Sequence, residues 1–215
     1  ELETAIAERQ AHFEAAARRE QLAAEQLDLS EMIVDRTVGH HHLITQTRER
    51  LEDAFIGLGF TIAEGPEVET DWYNFEALNM PAGHPARSMW DTLYLDAGEP
   101  ETILLRTHTS PVQVRTMMRQ EPPIYIVAPG RTFRSDTADA THLPVFHQIE
   151  GLVIDKGITF ADLAGTIEAF VKVLYGEDRT TRLRPSFFPF TEPSAEFDMT
   201  TPSGDWVELG GCGMV

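Results

Sequence analysis

The run from Arg131 to Glu150 constrains this chain more than any other feature. Apolar and β-branched residues flank it at Ile124–Val127 and Val145–Ile154, and turn formers fill Ser135–Pro144. That pattern predicts two strands joined by a polar loop. Side chains alternate faces along a strand, so Phe146, Gln148 and Glu150 share one face, and Thr132 and Arg134 share one on the incoming strand. An aromatic plate, an amide, a carboxylate and a guanidinium thereby surround one cavity. A guanidinium suits a phosphate, an aromatic face suits a flat base, and an amide beside a carboxylate suits an ammonium group. An amino acid meeting ATP would use all three. Isolated Arg, His and Asp in a hairpin are equally ordinary as solvated loop residues, and a lone Phe on a strand as core, so alternation by itself leaves both readings open.

A chain of 215 residues suits one domain plus an appendage, burying roughly 70% of the unfolded surface. Cys212 is the single cysteine, which excludes an intramolecular disulfide framework and a multi-cysteine zinc site and predicts a reducing cytoplasm. No apolar run is long enough to span a bilayer, and no signal-peptide pattern opens the chain, so a soluble protein is expected. The first residue is Glu1 rather than Met, and the natural N-terminus is expected upstream. The net charge of −18 argues against autonomous nucleic-acid binding, because phosphate contacts need Lys or Arg. Any RNA ligand is expected to rely on a basic partner surface for much of its grip.

Glu1 to about Leu29 lacks Gly and Pro and predicts one helix. Leu2, Ile6, Phe13, Ala16, Ala23 and Leu27 approximate a heptad seam, interrupted by Arg9 and Glu20. Half of an antiparallel coiled-coil arm and a solvated helix packed on the domain both account for so narrow a stripe. Ile44–Leu58 has a helical period, with Gly57 and Gly59 at its end; a strand should start at Phe60 and stop at Gly65 and Pro66. Ile103–Leu105 and Leu152–Ile154 are further strand candidates, and Phe160–Tyr175 is an amphipathic helix with Leu163, Ile167, Phe170, Val171 and Leu174 inward. This order predicts an α+β domain, an antiparallel sheet flanked by helices. Residues 1–36 are expected to form a helical arm segment and linker, and 37–215 the main domain. The histidines His40–His42 are adjacent on a loop and are assigned no metal.

Several longer runs reach a family. They are Gly59–Asn79 followed by His84–Arg87 and Met89–Thr92; Leu105–Pro111 (Leu-Arg-Thr-His-Thr-Ser-Pro); the Arg131–Glu150 hairpin; and Arg184–Pro193 (Arg-Pro-Ser-Phe-Phe-Pro-Phe-Thr-Glu-Pro). In this order they closely resemble the alpha subunit of bacterial phenylalanyl-tRNA synthetase, a class II aminoacyl-tRNA synthetase chain, from about Gly39 to Val215. The resemblance implies an antiparallel sheet with flanking helices, in agreement with the independent reading. It makes Leu51–Pro66 the first class signature, a subunit-interface element, and the hairpin the second. The third, a Gly-rich strand and helix, is expected to follow Gly210–Val215, so the catalytic domain is expected to be incomplete here and residues 1–215 inactive by themselves.

The same resemblance assigns site residues. Arg134 would hold the α-phosphate of ATP and the substrate carboxylate, His142 would reach the distal phosphates, and Phe146 would stack on adenine. Asp136 stands where some relatives carry Glu facing the adenine amino group. Trp90, His108, Ser110, Gln148 and Glu150 resemble the family's ammonium-binding group, with His108 and Ser110 pointing the same way if extended. Phe188 and Phe190 resemble the two rings that clasp the phenylalanine ring edge to face, and Glu192 resembles the position that shares Mg²⁺ with the beta subunit.

The reaction so implied is attack of the phenylalanine carboxylate on the α-phosphorus of ATP, then transfer to tRNA(Phe), within an α₂β₂ assembly. Positioning and charge neutralisation drive such a step without a side-chain nucleophile. A noncatalytic synthetase-like binding subunit and an inactive fragment are the alternatives. The first should have lost Arg134 or Glu150, and both are present.

Overall fold

The computed structural model describes residues 2–26, 38–87, 92–139 and 142–215. The chain divides into two compact units, Glu1–His41 and His42–Val215. In the first, α1 (Leu2–Ala24) is a helix with no buried residue. Gln10–Glu14 and Gln21–Glu25 side-chain bonds and the Arg9 guanidinium over Phe13 brace it along its own length. Leu27, and the expected helix end near Leu29, lie outside the described residues.

The second unit begins with α2 (Leu43–Gly57), whose first turn is capped by His42 Nδ1 accepting from the Ile44 N–H at 3.2 Å. Its C-terminal side turns at Gly59, where φ is +92°, a conformation that costs glycine nothing. There follow β1 (Thr61–Ile62), β2 (Val68–Thr70), α3 (Asp71–Asn74), β3 (Ile103–Leu105), α4 (Ser110–Met117), β4 (Ile124–Phe133), β5 (Val145–Ile154), α5 (Phe160–Tyr175), β6 (Thr181–Phe188), β7 (Thr191–Thr200) and β8 (Trp206–Gly213). The α+β expectation holds, with one difference. β1 runs parallel to β4, matching Thr61 to Ile126, while the other strand pairs are antiparallel. Residues 63–123 intervene, and a crossover of that length permits a parallel pair.

Strands group as β1-β4-β5, β2-β3 and β6-β7-β8. Phe75, Leu78, Met80, Leu104 and Val114 form one core cluster, against which Phe190 packs; Ile124, Ile126 and Leu152 form a second. α5 lays Ile167 and Val171 on Met199, with Leu183, Phe197 and Leu209 around them. Its start is fixed by a capping box between Thr159 and Asp162. Among the described residues no helix is long and apolar enough to cross a membrane.

Candidate active site

β4 and β5 pair without interruption from Ile124↔Ile154 to Phe133↔Val145. The pleat puts Leu152, Glu150, Gln148 and Phe146 on one face, opposite Ile126, Ala128, Gly130 and Thr132. Both members of the Ile126 and Leu152 pair are buried. Beyond it the β4 side chains become small, and the larger β5 side chains are roofed by the segment that runs from Arg106 into α4.

That segment closes on Glu150. One carboxylate oxygen accepts from Ser110 Oγ at 2.6 Å and Gln113 Nε2 at 2.7 Å, and the other from the Thr109 N–H at 3.1 Å. The Thr109 N–H also reaches Gln148 Oε1 at 3.3 Å. Burial raises the Glu150 pKa above the ordinary carboxylate value, and these donors pull it back. An ionised carboxylate has about four lone-pair positions, so three donors leave room for one more N–H. The Ser110 hydroxyl, having donated its hydrogen, still presents lone pairs.

His108 adds a second acceptor. Both ring nitrogens are buried and, among the described residues, neither has a partner at full hydrogen-bond geometry; the Asn74 main chain close by opposes the fall of the ring's pKa. Burial, then the charge of Arg134, lowers its pKa to about 4. A neutral imidazole always carries one nitrogen able to accept. Its ring meets Phe75 edge to face at 6.3 Å. An unsatisfied buried imidazole costs free energy that a bound N–H group would return.

The other end of the hairpin is more open. Arg134, one residue past β4, donates from Nε to the Thr107 carbonyl at 3.3 Å and lies 4.9 Å over the Phe146 ring. It makes no ion pair among the described residues, so its charge is available to an anion. Asp136 is half-buried on the loop. His142 is 62% exposed at the loop tip, where its Nδ1 lies 3.1 Å from Asp139 Oδ1 and its N–H donates to the same carboxylate at 2.7 Å.

Phe188 and Phe190 lie with centroids 6.0 Å apart and ring planes inclined by 20°. They come together across a turn. β6 ends at Phe188, and Phe190 sits in the turn before β7, where Asn79 Nδ2 donates to the Pro189 carbonyl. The Phe188 ring covers Gly211 so closely that a Cβ there would fall 2.4 Å from Cζ. Glu192 is exposed, and among the described residues no group of three His, Cys, Asp or Glu side chains could hold a metal ion. Trp90 lies outside the described residues.

Ser110 is brought to Glu150 by a helix rather than by the extended segment expected from Leu105–Pro111. Thr109 is the helix N-cap residue, with φ −90° and ψ 1°, and Pro111 occupies the first turn. A Thr-Ser-Pro triplet is a helix-start signal. Reading it so would also have found Gln113, which follows Ser110 by three positions and shares its face. Asn74 is a further residue that pattern alone does not reveal: buried, it donates from Nδ2 to Thr107 Oγ1 at 3.0 Å and accepts from the Thr107 N–H at 3.3 Å.

The chain is similar to several known proteins. Residues 26–215 match the family model described as tRNA synthetases class II core domain (F). A phenylalanine–tRNA ligase alpha subunit of Synechocystis sp. is 56% identical over 207 residues, covering 96% of this chain and 61% of that protein. Alpha subunits of the same name from Leifsonia xyli subsp. xyli and Thermobifida fusca are each 50% identical, covering 98% and 100% of this chain and 62% and 63% of their own lengths. The chain thus spans about three fifths of these relatives. In fold it is similar to a pyrrolysyl-tRNA synthetase from Desulfitobacterium hafniense, with a TM-score of 0.60 at 18% identity over 95% of this chain and 65% of that one. By the extent of the family match, this chain belongs to the class II tRNA synthetase core domain (F) family.

Proposed function

We propose that this chain is the catalytic portion of a phenylalanine–tRNA ligase alpha subunit, which activates L-phenylalanine with ATP and passes it to tRNA(Phe). The observation that carries the reading is the buried Glu150, held by Ser110, Gln113 and Thr109 with one acceptor position to spare, on the strand face it shares with Gln148 and Phe146. A substrate ammonium fits there, accepted by Glu150, Gln148 Oε1 and the Ser110 hydroxyl. Arg134, held among the described residues by one carbonyl bond, is suited to bridging the substrate carboxylate and the α-phosphate. Adenine would stack on Phe146, with Asp136 near its amino group and His142 toward the distal phosphates. The substrate ring would meet Phe188 and Phe190, and Trp90 would complete the ammonium side.

In this reading a carboxylate oxygen of phenylalanine attacks the α-phosphorus, the bond to the bridging oxygen breaks, and pyrophosphate leaves. Alignment and charge neutralisation by Arg134 lower the barrier. Magnesium bound with ATP would add positive charge at the phosphates; Glu192 is the residue of this chain proposed to face a shared ion. Residues 1–36 are read as an arm segment and linker and 37–215 as the catalytic domain. The relatives' name, alpha subunit, supports a beta-subunit partner in an α₂β₂ assembly, and the net charge of −18 supports assigning much of the tRNA grip to that partner. The lone Cys212 supports a reducing cytoplasm.

The test is ATP–pyrophosphate exchange with the full-length chain and its partner subunit. Exchange should depend on L-phenylalanine and fall sharply with phenylalaninol-like analogues that lack the carboxylate or with N-acetylphenylalanine, which lacks the ammonium. Exchange driven equally well by N-acetylphenylalanine would remove the basis for the Glu150 assignment.

A further inference from the structure

Arg106 is a buried arginine whose guanidinium is held by main-chain carbonyls. Its residue is 3% exposed, and among the described residues it makes no ion pair. Its guanidinium instead donates to three main-chain carbonyls, from Nε to Arg131 at 2.8 Å and from one terminal nitrogen to Gly65 at 3.2 Å and Pro66 at 3.3 Å. Its own backbone is tied as well. The N–H donates to the Glu67 carbonyl and the carbonyl accepts from the Phe133 N–H, both at 2.9 Å. One residue thus joins the stretch after β1, the end of β3 and the outer half of β4.

The guanidinium lies directly over Gly130. A Cβ at that position would sit 1.9 Å from a guanidinium nitrogen, 2.9 Å from the guanidinium carbon and 3.4 Å from Thr109 Cγ2. Gly130 is not in the left-handed region, so its backbone does not call for glycine. The space above it does. Gly130 is the register partner of Gln148, and its neighbour Ala128 is the partner of Glu150. The charge thereby rests on the strand face that carries both side chains, and Glu67, Glu69 and Glu150 help to keep it ionised against its burial.

We propose that Arg106, seated in the hollow left by Gly130, is a positioning residue that sets the distance between Glu150 on β5 and the Thr109–Ser110 donors at the start of α4. Only Thr107 and His108 separate Arg106 from those donors, so displacing its head group tilts the segment relative to the hairpin. The Thr107 carbonyl that receives Arg134 lies in the same segment. The effect is still concentrated on the amino-acid end, because the Arg134 backbone is held across the hairpin by its N–H to the Pro144 carbonyl and Phe146 stands on the hairpin itself, opposite Thr132.

This inference rests on the ammonium-site reading, and the two fail separately. The enzyme is the full-length chain with its partner subunit, assayed by exchange with phenylalanine and ATP varied in turn. Gly130→Ala should raise KM for phenylalanine by at least about tenfold and leave KM for ATP within about twofold, since a misplacement near 1 Å is costly where geometry governs reaction. Arg106→Gln should raise KM for phenylalanine comparably. Gln is short enough to clear Cβ of residue 130, so the double variant should be no worse than Arg106→Gln alone. Should those variants not assemble, Arg106→Lys decides: it keeps the charge but not the fork that reaches three carbonyls, and its KM for phenylalanine should still rise. Unchanged KM for phenylalanine in variants that fold, equal rises for both substrates, or an undiminished Gly130→Ala penalty in the Arg106→Gln background would overturn the proposal. A wild-type enzyme with no phenylalanine-dependent exchange would instead defeat the underlying reading.

Discussion

The two ends of the β4–β5 face are built on opposite terms. At Glu150 every hydrogen-bonding role but one is taken before any ligand arrives, by donors from a segment some 40 residues distant in sequence. At Arg134, among the described residues, a single carbonyl bond and one aromatic ring hold the guanidinium, and His142 stands at an exposed loop tip. A small cation of fixed shape rewards a pocket fixed in advance. A triphosphate, longer and more flexible, is suited by groups that can move onto it.

The contrast can be broken by substitution. Arg134→Lys and Glu150→Gln should each lower kcat/KM in exchange by about a hundredfold or more, the scale of losing a preorganised charge-stabilising contact. They should differ in stability. Arg134→Lys should shift unfolding by no more than about 0.5 kcal/mol, as for an unburdened surface-like site. Glu150→Gln should cost about 1–3 kcal/mol, because the new amide turns N–H groups toward donors that lose their acceptor. Glu150 is not an unpaired carboxylate in the empty site: the Ser110, Gln113 and Thr109 bonds tie it into the fold. Equal stability losses in the two variants, measured by denaturant titration, would erase the distinction between the ends.

A pH titration sharpens the same comparison. The His108 pKa falls from 6.5 in the unfolded chain to about 4 in the fold. Between those values the unfolded state takes up a proton that the folded state refuses, so stability should decline as pH drops from 6.5 toward 4, by about 3 kcal/mol in all. His108→Gln should lack that component, and matching pH profiles for the two proteins would sink it. The smallest effect belongs to the loop tip. His142→Ala should change stability by less than about 0.5 kcal/mol while raising KM for ATP more than KM for phenylalanine, and the reverse order would move His142 to the amino-acid end.

Much of this site could be read in one dimension because β5 alternates strictly. Phe146, Gln148 and Glu150 fall on one face whatever the rest of the chain does. α2 and α5 were equally legible, the first ending near Gly57 and Gly59 and the second showing an apolar stripe behind Thr159. What escaped was short or bent. α4 has eight residues, too few for a clear period, and its start makes Ser110 helical rather than extended. β2 has three residues. Phe190 lies in a turn, so its pairing with Phe188 is a property of the bend and not of alternation. Arg106 and Gly130 look unremarkable apart; only the close approach of the two shows why the glycine is there.

The parallel pairing of β1 with β4 bears on the order in which such a chain can fold. The hairpin of β4 and β5 closes through about a dozen residues, whereas β1 must wait for a strand more than sixty positions later. Loop-closure entropy makes the hairpin the cheaper nucleus and the parallel pair a later event. During synthesis β1 therefore leaves the ribosome well before its strand partner exists, with Ile62 and Phe60 still lacking the sheet they will pack against. Slowed translation between Gly65 and Pro123 would lengthen that interval, and the resulting loss of soluble chain would fall on β1 rather than on the β4–β5 hairpin.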